Sequence, residues 1–419
     1  MVEKSVLDNG IRILSERIPG AFSATVGFWV ECGSRHESLE QAGVSHFLEH
    51  MLFKGTIHRS APSIAKEIDS VGGALNAFTS SEFSCYYAKV SGHNLSLAVD
   101  LLSDILLNSV IDLDELEKER RVILQEIHML EDSPEESIHE LFTSSYWRGH
   151  PLGKPIIGSI QSVQSLDRQQ LVQYFDTNYC GSNLIICVAG DVHHEQLVSQ
   201  IDQLFRGHKA GVKTSISEPP VSHSCIQVTQ KDIEQVHFCL GTIAPGQRHQ
   251  NRFAGNLLNT MLGGSMSSRL FQILREERGM AYSVYSYLSS HSDAGALIVY
   301  AGTSPDEVQH AINLVLKELS RFQHCEPDPD ELQATKELIK GQFMLSLEST
   351  ENRMIRLAKN EIYLGRVQSP HEVIERVQQV SGEDILRLTR EFLRDEYLNL
   401  QLVGPISGNG FPLVDLTLG

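Results

Sequence analysis

Two histidines and a glutamate share the short segment Gly43-Val44-Ser45-His46-Phe47-Leu48-Glu49-His50-Met51-Leu52-Phe53. After Gly43 it contains no helix breaker, and it runs out near Lys54-Gly55-Thr56, so it is predicted to be one short helix. His46 and His50 are four apart, which puts both imidazoles on one face, a turn from each other. That spacing lets two ring nitrogens reach a single zinc ion at ~2.0–2.1 Å. Glu49 follows His46 by three positions and shares the face, beside a metal without having to bind it. Such a carboxylate can take a proton from metal-activated water and pass it to a leaving amine.

A catalytic zinc needs a third protein ligand and an open position for water. The stretch Leu113 to Asp132 is predicted to be a helix that offers one. Asp112 is placed as its N-cap with Glu115 three residues on. Leu116, Val122, Ile123, Ile127 and Leu130 supply an apolar stripe. Glu119 and Glu126 are seven apart, two turns, and so share a face; helix geometry leaves either as the ligand. Isolated histidines such as His58, His128 and His237 have no comparable partner spacing.

These helices must be held by something larger. The chain has 419 residues, enough for two or three domains. Residues 206–223 combine glycine, a proline pair and no apolar periodicity, and read as a linker. The halves on either side resemble each other. Phe47-Leu48-Glu49-His50-Met51-Leu52 is echoed by Leu257-Leu258-Asn259-Thr260-Met261-Leu262, and Asp114-Glu115-Leu116 by Asp330-Glu331-Leu332. Both halves run helix, strand, strand, helix, with strands expected near 74–79 and 83–91 and again near 281–289 and 294–302. The expectation is an α+β fold of two homologous domains, 1–210 and 220–419, each a mainly antiparallel sheet covered by helices. In the second half, Asn256, Asn259 and Thr260 stand opposite His46, Glu49 and His50, and Thr335 and Gln342 stand opposite Glu119 and Glu126. A single zinc site per chain, in the first half, follows.

Composition narrows the setting. Apolar residues make up 41% and charged residues 21%, as in a chain with a real core. A net charge of −18 repels polyanions, so neither nucleic acid nor an anionic membrane is an expected partner. Seven scattered cysteines, with no Cys-x-x-Cys pair, suit reduced and mostly buried thiols. Met1 to Leu14 reads as strand, turn and strand around Asp8-Asn9-Gly10, not as a secretory leader. No apolar run approaches the ~20 residues of a membrane helix. A cytoplasmic protein is expected.

The run His46-Phe47-Leu48-Glu49-His50-Met51-Leu52-Phe53-Lys54-Gly55-Thr56 resembles the inverted zinc motif of the pitrilysin/insulinase peptidases, and within them the mitochondrial processing peptidase β-subunit and its bacterial relatives. The likeness spans essentially the whole chain, through Leu7-Asp8-Asn9-Gly10, Asn76-Ala77-Phe78-Thr79 and Gly263-Gly264-Ser265. Gly263-Gly264 lacks the Gly-Lys-Ser/Thr ending of a phosphate loop. The resemblance implies a third zinc ligand 76 positions after the second histidine, which is Glu126, and a supporting role for Glu119. It implies that an edge strand at Asn76, Ala77, Phe78 and Thr79 pairs with an extended peptide substrate. It implies that Arg275 and Tyr282 hold the substrate backbone and stabilise the oxyanion. Relatives with four such domains close like a clamshell. A chain with two is therefore expected to form a homodimer, each chain's Arg275 and Tyr282 completing the partner's site. The alternative is a noncatalytic peptide-binding subunit or a structural core subunit of a respiratory complex. Subunits of the latter kind generally have a degraded zinc motif, whereas this motif is intact.

Overall fold

The protein is described by a computed structural model covering residues 2–215, 218–222, 224–406 and 415–418. Positions 216, 217 and 223 of the expected linker lie outside the described residues. The chain forms two compact units. The first is Met1–His128, Lys154–Ser217 and Leu345–Val367; the second is Met129–Gly153, Glu218–Met344 and Gln368–Gly419. Each unit takes in a stretch from the other half of the sequence, which a contiguous division at 210–220 does not have.

The first unit is built on β1 (Val2–Val6), β2 (Arg12–Arg17), β3 (Ser23–Val30), β4 (Ala74–Thr79), β5 (Ser84–Ser91) and β6 (Leu184–Gly190). They lie in the order β1-β2-β6-β3-β5-β4. β2 and β6 are parallel and the other pairs antiparallel. Gly10 at φ +89° turns the chain between β1 and β2, a conformation that favours glycine. Helices α1 (Val44–Leu52), α2 (Ala61–Ser70), α3 (Leu95–Asn108) and α4 (Leu113–Asp132) follow in sequence.

β3 and β6 are apolar nearly throughout, and their alternation explains why the unit needs a borrowed segment. Val26, Phe28, Val30, Ile186 and Val188 face a core shared with Phe47, Leu48 and Met51 of α1. Trp29, Ile185, Cys187 and Ala189, on the opposite face by the period of two, pack with Met354, Leu357 and Ala358. Those three belong to the helix Thr350–Leu364. Without it the second face would expose a tryptophan and several aliphatic side chains to water, at roughly 25 cal/mol per Å². Glu16 fixes the same helix by accepting from Arg353 at 2.7 Å and Arg356 at 3.0 Å.

The second unit repeats the scheme. β7 (Cys225–Gln230), β8 (Val236–Ile243), β9 (Ala281–Ser290), β10 (Gly295–Thr303) and β11 (Asn399–Gly404) lie in the order β7-β11-β8-β10-β9. Only β7 and β11 run parallel. One face packs on the helices Arg252–Leu262 and Val308–His324. The other takes Ile138, Phe142 and Tyr146 of α5 (Pro134–Tyr146) against Cys239, Ile298, Tyr300 and Val403. A Cβ at Gly241 would come within 2.5 Å of the Phe142 ring, so glycine sets how closely α5 approaches. The fold is α+β with two similar sheets, each mainly antiparallel with one parallel pair.

Candidate metal centre

α1 is amphipathic. Val44, Phe47, Leu48, Met51 and Leu52 are buried in the core, which turns His46, Glu49 and His50 the other way. α4 runs as the sequence predicts, with Asp112 accepting from the amides of Asp114 and Glu115 at 2.9 and 3.1 Å. Leu116, Ile123 and Ile127 bury one side of α4.

The two helices bring His46, His50 and Glu126 together, with one donor atom of each within 4.8 Å of the others. Oε2 of Glu126 lies 3.8 Å from Nε2 of both His46 and His50. Glu119 does something different. It is buried, and its Oε2 lies 3.1 Å from Nδ1 of His50. Its Oε1 accepts from the Lys54 ammonium at 2.7 Å. Glu119 therefore holds one ring nitrogen of His50 and leaves Nε2 toward Glu126, the arrangement by which an outer carboxylate orients a metal-binding imidazole.

The donor set suits a divalent cation. Metal binding requires neutral imidazole, and burial together with the neighbouring His50 pushes the His46 pKa down to about 4. Nδ1 of His46 is buried with no hydrogen-bond partner among the described residues. Glu49, Glu119 and Glu126 crowd carboxylates around the pair. Two imidazole nitrogens and a carboxylate oxygen are donor types that zinc accepts.

Glu49 stays outside the three-residue group but near it, within electrostatic reach of His50 and Glu126. Burial raises its pKa, and a hydrogen bond from Thr79 opposes the rise. Thr79 closes β4, which also carries Asn76, Ala77 and Phe78. β4 is the edge of its sheet and pairs with β5 alone. Its outer side has no strand beside it among the described residues.

In the second unit, Arg275 lies in a π-helix, Phe271–Glu277, and Tyr282 on the edge strand β9. The Arg275 guanidinium lies over two rings, 4.9 Å from the centroid of Phe271 and 4.8 Å from that of Tyr282. Tyr282 is 80% exposed. Asn256 and Asn259 lie in the helix Arg252–Leu262 with Thr260, whose hydroxyl donates back to the Asn256 carbonyl. Lys54, Phe271 and the side chain of Thr79 are contacts that the sequence reading did not pick out. Lys54 carries a faint signal, four residues past His50 in the turn that follows α1.

Residues 12–160 match the family model of the insulinase peptidases, peptidase family M16, and residues 165–339 match the model of the peptidase M16 inactive domain. The chain belongs to the insulinase family. An uncharacterized zinc protease of Bacillus subtilis is 39% identical over 98% of this chain and 99% of its own length. One from Mycobacterium tuberculosis is 38% identical over 96% of this chain and 93% of its own. Two solved structures share the fold. A protease from Helicobacter pylori superposes with a TM-score of 0.89 at 23% identity, over 97% of this chain and 99% of that one. A peptidase M16 inactive domain from Pseudomonas fluorescens superposes with a TM-score of 0.91 at 17% identity, over 97% and 98%. The insulinase-family match at 12–160 contains both histidines and all three glutamates described above, while the inactive-domain match contains Asn256, Asn259 and Thr260. Among the described residues, no helix is long and apolar enough to cross a membrane.

Proposed function

We propose that this insulinase-family protein is a zinc-dependent endopeptidase that hydrolyses peptides or unfolded segments enclosed in a chamber. The observation that carries the reading is the convergence of His46, His50 and Glu126 with Glu49 beside them and outside the group. His46, His50 and Glu126 hold one zinc per chain, and Glu119 orients His50. Bound there, zinc supplies a water of lowered pKa and polarises the scissile carbonyl. Glu49, held by Thr79, takes a proton from the attacking water and delivers it to the leaving amine. The free edge of β4 binds the substrate as an added strand, its main chain fixing the register and pockets for alternate side chains giving preference.

Arg275 and Tyr282 hold the substrate backbone and stabilise the oxyanion, and the cation–π contact between them keeps the guanidinium in place. Two such chains form a homodimer in which each supplies this pair to the other. All seven cysteines are free, which supports a reducing, cytoplasmic setting. The names of the curated relatives support a zinc protease, and the retained donor set favours it over a noncatalytic subunit.

The test is product mapping by mass spectrometry on a diverse peptide library, with and without a chelator. The reading expects internal cleavages that vanish with the chelator and return with zinc. Cleavage indifferent to the chelator, or no cleavage by zinc-loaded protein, would overturn it.

A further inference from the structure

α1 carries three of the proposed working residues, yet it has only nine residues and begins on a residue with no side chain. Its N-cap is Gly43, at φ +93°, and a Cβ there would lie 2.7 Å from the Ile157 carbonyl oxygen. Only glycine makes that approach, so the cap position cannot supply the oxygen that normally accepts from the first turn. The acceptor comes from elsewhere. Glu37 lies in the preceding loop with its side chain folded inward, 4% exposed. Its Oε2 accepts from the Gly43 amide and its Oε1 from the Ser45 amide, both at 2.8 Å. A third bond grips the same turn, for the Ser45 hydroxyl lies 2.8 Å from that of Tyr174. The next residue is His46.

We propose that Glu37 is a positioning residue for the metal centre, its carboxylate clamping the first turn of α1 so that His46, Glu49 and His50 keep their orientation toward Glu126. The inference rests on the zinc reading above. Two amide donors and the positive end of the helix call for an acceptor with two oxygens and negative charge. Burial pushes the Glu37 pKa up to about 7, and the bonds from Ser45 and Gly43, with the charge of Lys154, act against that rise. Glutamine has nearly the same shape but only one acceptor oxygen. Its amide NH2 would face one of the two N–H groups and leave that buried donor unpaired. The slack falls one residue from a proposed ligand, and small displacements in a catalytic site are costly.

The test compares zinc-loaded parent and Glu37→Gln protein for the rate of zinc loss to a chelator, the visible spectrum with cobalt in place of zinc, and kcat and KM on a fluorogenic peptide. We expect a folded variant with zinc loss roughly tenfold faster, a shifted cobalt spectrum, and kcat about tenfold lower at unchanged KM, the scale seen when outer contacts of a metal site are removed. A variant that only melts at lower temperature, with zinc loss, spectrum and kcat as in the parent, overturns the proposal. Hydrogen exchange on the parent needs no variant: the Gly43 and Ser45 amides must be protected like the sheet core, and rapid exchange there overturns it too. A parent that binds no zinc overturns the metal reading itself, which separates the two failures.

Discussion

The Thr79 hydroxyl donates to Oε2 of Glu49 across 2.5 Å, joining the last residue of an edge strand to the candidate base on α1. The strand proposed to bind substrate and the residue proposed to activate water are thus fixed to each other by one side chain. Thr79→Val keeps the shape and removes the donor. A hydrogen bond to a charged group is worth ~1.5–3 kcal/mol, so kcat/KM is expected to fall roughly tenfold or more. Zinc content should stay at one per chain. Loss of zinc in this variant would mean that Thr79 supports the ligands instead.

Lys54 gives a second test. It reaches Glu119, whose other oxygen faces His50. Lys54→Met leaves a buried carboxylate without its cation. Breaking a fully buried pair costs ~3–5 kcal/mol, and a partner still 30% exposed lowers that figure. Urea denaturation is expected to show a loss of about 2 kcal/mol, with faster release of zinc because Glu119 no longer holds His50 steadily. Unchanged zinc release would separate Lys54 from the metal site and leave it a contributor to stability alone.

The third prediction concerns acid. His139 on α5 lies between two tyrosine hydroxyls, with Nδ1 2.7 Å from Tyr287 and Nε2 2.9 Å from Tyr285. A neutral ring satisfies both, donating through one nitrogen and accepting through the other. Burial lowers its pKa from 6.5 to about 4. As pH falls through that interval the unfolded chain takes up a proton that the folded chain refuses, so the histidine's contribution is complete above pH ~6.5 and is lost toward pH ~4. Glu140, raised by burial from 4.5 to about 7, has the opposite sign and weakens the fold as pH rises through that range. The difference between parent and His139→Gln isolates the histidine. The parent's advantage in melting temperature should shrink steadily from pH 6.5 to 4. A constant gap would show that His139 does not titrate as its surroundings require.

The fourth concerns assembly. Glu49→Gln chains lack the base, and Arg275→Ala chains lack the cation. If each chain supplies Arg275 and Tyr282 to its partner, mixed dimers contain one site with both parts intact. Each variant alone should be nearly inactive, and dissociated and remixed chains should recover up to about a quarter of parent activity, since half the dimers are mixed and each has one good site. No recovery in dimers shown to be mixed would place both functions within one chain.

Local physics made much of this legible in the sequence. α4 was readable from end to end because it has an N-cap acid and an apolar stripe, although Val122 of that stripe is 47% exposed, and the β4–β5 and β9–β10 pairs because both halves repeat the order helix, strand, strand, helix. The histidine spacing was readable because four residues is one helical turn. What escaped depends on contacts between distant segments. An apolar face on α5 or on Thr350–Leu364 shows that each must be buried, without showing against which sheet, so a contiguous split at 210–220 was the natural expectation. Phe271-Gln272-Ile273-Leu274-Arg275 carries no sequence mark of the π winding it adopts. Glu37 looks like any loop carboxylate until Gly43 leaves its helix without a cap. Helix spacing left Glu119 and Glu126 equivalent; the structure gives them different neighbours, Lys54 and His50 for one and both histidines for the other.

The most direct measurement is zinc content and peptide cleavage on the same preparation of Glu49→Gln. Glutamine preserves the size of the side chain and leaves His46, His50 and Glu126 untouched, but it cannot accept the proton from water. The account predicts one zinc per chain, bound as tightly as in the parent, with turnover of a quenched fluorogenic peptide down at least ~100-fold, the lower scale for a general base. Full turnover with zinc in place would contradict the role assigned to Glu49 and the mechanism built on it.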